Sequence, residues 1–118
     1  MNRTPRLSVN LKKIALLRNS RITGVPSILQ FADIALRSGA DGLTVHPRPD
    51  ERHIRRDDVV ALAKFKRTIR PESELNVEGY PDTGLLEIVR EVGPEQCTLV
   101  PDPAGRADLD GRLAARWQ

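Results

Sequence analysis

Four short segments rich in apolar and β-branched residues recur along the chain and predict β-strands. In the first, Leu7, Val9 and Leu11 alternate with the polar Ser8 and Asn10, which is the period of a strand. Each of the other three is followed within two residues by a proline, which cannot continue a sheet's hydrogen bonding. The predicted strands span residues 7–11, 42–46, 75–79 and 97–100.

Between these strands, apolar residues recur at spacings of three and four, which predicts helices. The predicted helices span residues 26–38, residues from Asp57 as N-cap to the position before Pro71, and residues from Asp82 or Thr83 to Gly93. Residues 12–24 are predicted to form a connection rich in positive charge. The order βαβαβαβ predicts a single-domain α/β protein with a parallel sheet and right-handed crossovers.

Composition narrows the class of protein. The chain has 118 residues, of which 30% are charged and 39% apolar, as expected of one soluble globular domain. No apolar run has the length of a membrane span or of a signal-peptide core. The single Cys97 cannot form an internal disulfide, so the sequence predicts a cytoplasmic protein.

The net charge of +3 does not require a nucleic-acid partner, and we expect neither nucleic acid nor membrane to be bound. The charge is uneven, because the first 21 residues carry six basic and no acidic side chains. A basic arm or a targeting segment would explain this. The strand-like alternation of residues 7–11 argues against a targeting segment, which should be amphipathic at helical period.

Candidate chemistry lies where the predicted strands end. Asn10, His46 and Glu78 stand at or near the carboxyl ends of successive strands, so a parallel sheet would bring them to one edge. A histidine and a carboxylate in one pocket supply a base and an acid. The cationic Arg21, Arg48 and His53 on the neighbouring loops suit a phosphate ester. This pattern predicts a site for small phosphorylated carbonyl compounds.

Structural roles remain open for the same residues. A histidine at a strand end can simply be hydrogen-bonded within the fold, and Glu78 can cap a helix or pair with an arginine. Arg55 and Arg56 fit a solvated face before a helix equally well. Two histidines without a cysteine nearby do not form a recognisable metal-ligand spacing, so no metal is predicted.

The segments VNLKKIALLRNSR, GADGLTVHPRPDERHI, LNVEGYP and TLVP, in this order within residues 7–101, resemble the pyridoxine 5′-phosphate synthase family. The resemblance implies a (β/α)₈ barrel that forms homo-oligomers, octamers in the family, and uses no metal or organic cofactor. It implies condensation of 1-deoxy-D-xylulose 5-phosphate with 3-amino-2-oxopropyl phosphate in vitamin B6 biosynthesis.

The resemblance also implies roles for individual residues. His46 would be a proton acceptor and Glu78 a second acid or base. Asn10 and Arg21 would hold the aminoketone phosphate, and Arg48 and His53 the deoxyxylulose phosphate. Many members have Asp-His where this chain has Lys12 and Lys13, so no site role is assigned to these lysines.

The chain departs from the family most in its length. A (β/α)₈ barrel has about 250 residues, so residues 1–101 correspond to an N-terminal half with four strands and three helices. The family's later proton-donating histidine and glycine-rich phosphate loops have no counterpart. Residues 102–118 do not resemble the family's LTS-x-x-GW loop; Leu109, Leu113 and Trp117 at helical spacing predict a short helix instead.

Codons permitted for this tail, read in a shifted frame, can encode the LTS and GW residues. We therefore hypothesise a frameshifted or truncated product that is inactive alone. Two alternatives stay open. Two half-barrels can associate into a competent enzyme, or the chain can be a phosphate- or polyanion-binding interaction module without catalysis.

Overall fold

The computed structural model describes residues 4–101. Each strand but the last is followed by a helix, and two helices separate the first two strands. Their order is β1 (Ser8–Asn10), α1 (Lys12–Asn19), α2 (Ile28–Arg37), β2 (Gly42–Val45), α3 (Arg56–Ile69), β3 (Glu74–Gly79), α4 (Thr83–Val92) and β4 (Gln96–Leu99). The terminal helix predicted for residues 102–118 lies outside the described residues.

The four strands form one sheet in which every pairing is parallel and the spatial order follows the chain order. Right-handed crossovers between neighbours in such a sheet place all connecting helices on one face. Consecutive helices accordingly contact each other, α1 with α2, α2 with α3 and α3 with α4. This is the arrangement of the N-terminal half of a (β/α)₈ barrel, so the predicted fold class is confirmed.

The hydrophobic core lies between the sheet and its helices. Leu43, Val45, Leu75 and Val77 point toward the helices and are at most 1% exposed. They pack against apolar residues of all four helices: Ala15, Ile28, Ala32, Leu36, Val59, Leu62, Ala63, Leu85, Ile88 and Val92. Burial of these side chains is the main source of stability for the half-barrel.

The opposite face of the sheet is polar. The Ser8 and Thr44 hydroxyls are 2.6 Å apart, and Thr98 Oγ1 donates to Asn76 Oδ1 at 2.9 Å. A longer contact of 3.5 Å joins Asn76 Nδ2 to Thr44 Oγ1 and connects the two pairs. The face that would line a barrel interior is therefore held by side-chain hydrogen bonds rather than by apolar packing.

Residues 12–19 are a helix, which corrects the predicted connection and raises the number of helices within residues 4–101 from the predicted three to four. The helix begins directly after β1, where Asn10 Oδ1 accepts from the Lys12 backbone N–H at 2.8 Å. Ala15 is its one buried residue, and Leu16 and Leu17 are exposed. The segment lacks an apolar stripe, although lysine, alanine, leucine and arginine all favour helices.

The start of α3 also differs from the prediction. Arg55, not Asp57, occupies the N-cap position, and Asp57 and Asp58 fall in the first turn. Asp58 Oδ2 accepts from the Arg55 backbone N–H at 2.8 Å, so the acidic residue reaches back to the helix start. The ends of α4 match the prediction, with the Asp82 side chain accepting from Leu85 N and Gly93 left-handed at φ +61°.

Long polar side chains close the end of the sheet where the strands begin. Lys66 on α3 is 2% exposed and donates to Ser73 O at 2.7 Å, Pro71 O at 3.3 Å and Glu95 Oε2 at 2.8 Å. Glu95 Oε1 in turn accepts from the Leu75 backbone N–H at 2.8 Å. The ammonium group thus joins α3 to the starts of β3 and β4.

Within residues 4–101, none of the helices is long and apolar enough to span a membrane.

Candidate functional site

The ends of the first three strands meet at one edge of the sheet, as the sequence predicts. Asn10 is the last residue of β1, and Glu78 is the last but one of β3. The register pairs Val45 with Val77, so the next residues, His46 and Glu78, follow at the same level on adjacent strands. The acid–base candidates of the sequence therefore lie on neighbouring strand ends, while their catalytic roles stay predictions.

Residues 46–55 connect β2 to α3 and form the wall of this site. Pro47 is buried, and Ile54 at 0% exposure fixes the far end of the loop in the core. Within the loop the Glu51 backbone N–H donates to Arg48 O at 2.9 Å. Pro47 and Ile54 are therefore buried near the two ends of the loop, and the backbone turns between them.

On this loop Arg48 is half-buried and His53 is buried, and both have buried polar atoms that lack partners. The Arg48 side chain is 11% exposed and His53 is 4% exposed. Arg48 Nε, Arg48 Nη2 and His53 Nδ1 make no hydrogen bond to any residue of the described range 4–101. Arg48 Nε lies 3.5 Å from Asp50 Oδ1, an ion-pair distance without hydrogen-bond geometry. A buried unsatisfied polar atom costs about 1–3 kcal/mol, so this group is suited to an external acceptor.

The surroundings of His53 are positively charged. Burial is the main cause that lowers the pKa of His53 to about 4, and the charges of Lys12, His46, Arg48 and Arg52 act in the same direction. The imidazole is therefore neutral at pH 7. Burial and four neighbouring cationic side chains both oppose a further positive charge here, and those cations would stabilise an anion.

The carboxyl group of Glu78 has the opposite property. Burial raises the pKa of Glu78 above its ordinary value of 4.5. A carboxyl group with a raised pKa exchanges protons more readily near neutral pH, as a general acid or base must. The adjacent Gly79 allows this strand end to be covered, since a Cβ there would lie 2.7 Å from Leu85 Cδ1 of α4.

The other predicted ligands are less closely integrated. Asn10 is exposed, and its Oδ1 is occupied by the Lys12 backbone N–H. Arg21 is exposed in the connection after α1, and its guanidinium makes no hydrogen bond to the described part of the chain. Lys12 is half-buried and near enough for its charge to act on His53, whereas Lys13 is exposed. The ligand-binding roles of Asn10 and Arg21 stay predictions.

Two residues hold the site loop in place: Arg18, which the sequence offers only as a basic residue that could meet an anion, and Asn19, which it does not single out. Asn19 Nδ2 donates to the carbonyls of Arg52 at 3.0 Å and His53 at 2.7 Å. Arg18 donates to His53 O at 3.1 Å and makes a two-bonded ion pair with Asp58 at 2.6 and 2.9 Å. Recognising α1 as a helix would have placed both residues at its end, beside the loop.

No group of three or more histidine, cysteine, aspartate or glutamate side chains within residues 4–101 is arranged to hold a metal ion.

Known proteins match nearly the whole chain. The family model "Pyridoxal phosphate biosynthesis protein PdxJ" matches residues 7–115. Three similar curated proteins are each named pyridoxine 5′-phosphate synthase. The protein from Allorhizobium ampelinum is 48% identical over 89% of this chain and 42% of its own length. The protein from Porphyromonas gingivalis is 54% identical over 82% of this chain and 39% of its own length. The protein from Albidiferax ferrireducens is 46% identical over 91% of this chain and 44% of its own length. The chain therefore spans about two fifths of the length of these relatives.

Proposed function

The chain belongs to the PdxJ family of pyridoxal phosphate biosynthesis proteins, and we propose that its site serves the reaction for which its relatives are named, the synthesis of pyridoxine 5′-phosphate. The substrates we propose are 1-deoxy-D-xylulose 5-phosphate and 3-amino-2-oxopropyl phosphate. Both carry a phosphate group and a carbonyl group, so each needs an anion site beside acid–base residues.

The observation that carries this proposal is the pair Arg48 and His53. Their three unpartnered polar atoms are buried, and Lys12, His46 and Arg52 bring further cationic side chains near His53. A hydrogen bond between a guanidinium and a phosphate oxygen is charge-assisted and is stronger than one between two neutral groups. We assign the deoxyxylulose phosphate to this pair and the aminoketone phosphate to Asn10 and Arg21.

Acid–base steps fall to His46 and Glu78. Ring closure requires imine formation, loss of water and proton transfers, which positioned acids and bases accelerate. Glu78 suits proton transfer because burial raises its pKa, and His46 stands at the same level of the adjacent strand. We propose that residues 4–101 bind the substrates and supply these two acid–base groups to the reaction.

Calorimetric titration of 1-deoxy-D-xylulose 5-phosphate tests the site. We expect binding by the unaltered chain and at least about tenfold weaker binding by Arg48→Met, which loses the charged donors. Arg37→Met, on the exposed side of α2 in an ion pair with Asp33, is the matched control and should bind normally. Equal affinity of all three proteins would contradict the proposal. Binding that survives Arg48→Met and falls steeply with salt would favour the polyanion-binding alternative.

We further propose that the polypeptide forms a homo-oligomer. The outer edges of β1 and β4 pair with no other strand of residues 4–101. Beside these edges Leu7 and Leu99 are each 61% exposed. Unpaired edges with apolar neighbours favour association between copies. Light scattering should show a species larger than 13.2 kDa, and a monodisperse monomer would contradict this.

A further inference from the structure

The last two residues of α1, Arg18 and Asn19, donate hydrogen bonds to backbone carbonyls of the site loop. The carbonyls of Glu51, Arg52 and His53 lie within 3.5, 3.0 and 2.7 Å of the single Nδ2 of Asn19. Backbone carbonyls of a loop without regular structure need such partners when they are shielded from water. Asn19 therefore satisfies the backbone next to His53.

Arg18 fixes the orientation of this amide. Its Nε and Nη2 donate to Asn19 Oδ1 at 3.0 and 2.8 Å, so the amide oxygen faces Arg18 and the nitrogen faces the loop. The reversed orientation would oppose three carbonyl oxygens to an amide oxygen and leave the guanidinium donors unpaired. The hydrogen bonds thus define one arrangement of both side chains.

Asp58 completes the group from α3. Its carboxylate accepts hydrogen bonds from Arg18 Nη1 and Nη2 and from the Arg55 backbone N–H. The ion pair is largely buried, with 11% of the Arg18 and 15% of the Asp58 side chain exposed. One connected group therefore links the end of α1, the site loop and the start of α3.

From these contacts we infer that Arg18, Asn19 and Asp58 are positioning residues that hold the 51–53 backbone so that His53 and Arg48 face a phosphate group. The inference rests on the proposed function, because it gives the loop a phosphate to hold. The polar atoms of the three residues are occupied by one another and by the loop, so they act through His53 and not on the ligand. A misplaced loop would lose the dry, cationic pocket without losing either ligand residue.

Two readouts separate this role from ordinary stabilisation. The chain has two histidines, so the imidazole signals of His53 and His46 are readily separated by NMR, and titration reports the pKa of His53. Titration with inorganic phosphate, followed on the same signals, reports the affinity of the pocket. In Asn19→Ala we expect the pKa of His53 to rise from about 4 toward 6.5 as water enters the pocket, and phosphate affinity to fall about tenfold.

Asp58→Asn is the second variant, and it distinguishes loosening from a change in charge. Removal of a negative charge would by itself lower the pKa of His53, whereas a loosened loop would raise it. We expect a rise, together with weaker phosphate binding.

Arg70→Ala is the matched control. Arg70 Nη1 donates to the carbonyls of Leu36 at 3.2 Å and Ala40 at 2.5 Å, so it makes the same kind of bond outside the site loop. We expect this variant to have lower thermal stability, while the pKa of His53 and the affinity for phosphate stay unchanged. If Asn19→Ala behaves in the same way, the positioning role is wrong. If the unaltered chain binds no phosphate, the proposed function fails, and the pKa of His53 in the variants still decides the role of the three residues.

Discussion

Lys66 and Arg48 are cations largely shielded from solvent, with 2% and 11% of their side chains exposed, and they lie at opposite ends of the same sheet. Lys66 stands where β3 and β4 begin, and its ammonium donates to two carbonyls and a carboxylate within 3.3 Å. Arg48 follows the end of β2, and two of its nitrogens donate to nothing within residues 4–101. The two cations differ in their hydrogen bonding, since the Lys66 ammonium has three acceptors within the fold, whereas two Arg48 nitrogens have none.

The contrast separates stability from binding. In parallel barrels the amino-terminal end of the strands serves the fold, and the carboxyl-terminal end carries the ligand sites. Removal of a satisfied buried cation leaves its partners unpaired and lowers the free energy of unfolding. An unsatisfied one costs folding free energy that a bound anion can recover. The free energy of unfolding should therefore respond in opposite ways to the same substitution at the two ends.

Replacing Lys66 with methionine should have the largest effect. The side-chain volume is retained, but Ser73 O loses its donor and the Glu95 carboxylate loses its counter-ion. Since Glu95 is about one-third exposed, we expect a loss of about 3 kcal/mol, the low end of the range for breaking a buried ion pair. Urea denaturation measures this. Lys64→Met on the exposed side of α3 is the control, and equal stability of the two variants would remove Lys66 from its structural role.

Acid should lower the free energy of unfolding by protonating His53, which lies beside the carboxyl ends of the strands. Its pKa is lowered from 6.5 to about 4 in the folded state, mainly by burial, so protonation favours the unfolded chain. Stability from the neutral imidazole is complete above pH 6.5 and is lost as the pH falls toward 4. One pKa unit corresponds to about 1.4 kcal/mol, so we expect a loss of about 2–3 kcal/mol over this range.

Replacement of His53 with glutamine should flatten that part of the stability profile, and saturating phosphate should reduce its slope. An unchanged profile in His53→Gln would assign the acid sensitivity to another group.

The positions of the strand ends and of the candidate site residues beside them were predictable from sequence, because proline and glycine mark where the strands stop. His46 and Arg48 flank Pro47, and Glu78 precedes Gly79, so parallel pairing alone brings their strand ends together. The helix α1 was missed because Leu16 and Leu17 are exposed and give no apolar stripe. The contacts of Arg18 and Asn19 with the loop cross more than 30 residues of sequence, which local periodicity does not encode. Nor does it reveal that Lys66 meets Glu95.

Replacing Arg48 with methionine should have a smaller effect on stability, opposite in sign to Lys66→Met. It removes a half-buried charge that lies near other cations, together with two unsatisfied donors, and it gives up only the 3.5 Å ion pair with Asp50, which lacks hydrogen-bond geometry. We expect the free energy of unfolding to rise by about 1 kcal/mol in phosphate-free buffer. Added phosphate should stabilise the unaltered chain and not the variant. A loss of stability as large as that of Lys66→Met would mean that Arg48 is also a structural cation.

The smallest expected effects are those of the two carboxyl groups that accompany the cations. Burial opposes ionisation of Glu95, yet hydrogen bonds from Lys66 and the Leu75 N–H outweigh it and lower its pKa. Its contribution to stability is therefore present above pH 4.5 and is lost as the pH falls through the folded-state pKa. Burial raises the pKa of Glu78, so its protonated form is stabilising below pH 4.5 and that contribution is lost as the pH rises through its folded-state pKa.

At pH 7, Glu95→Gln should thus lower stability, by less than Lys66→Met because the amide oxygen can still accept from Lys66, and Glu78→Gln should raise it by less than about 1 kcal/mol because solvent reaches the group. Guanidinium denaturation at pH 7 and at pH 3.5 measures the two signs, and both differences should shrink at the lower pH. The same sign at both positions would mean that the two ends of the sheet do not divide stability from binding, since the carboxylate at the binding end would then be contributing to the fold.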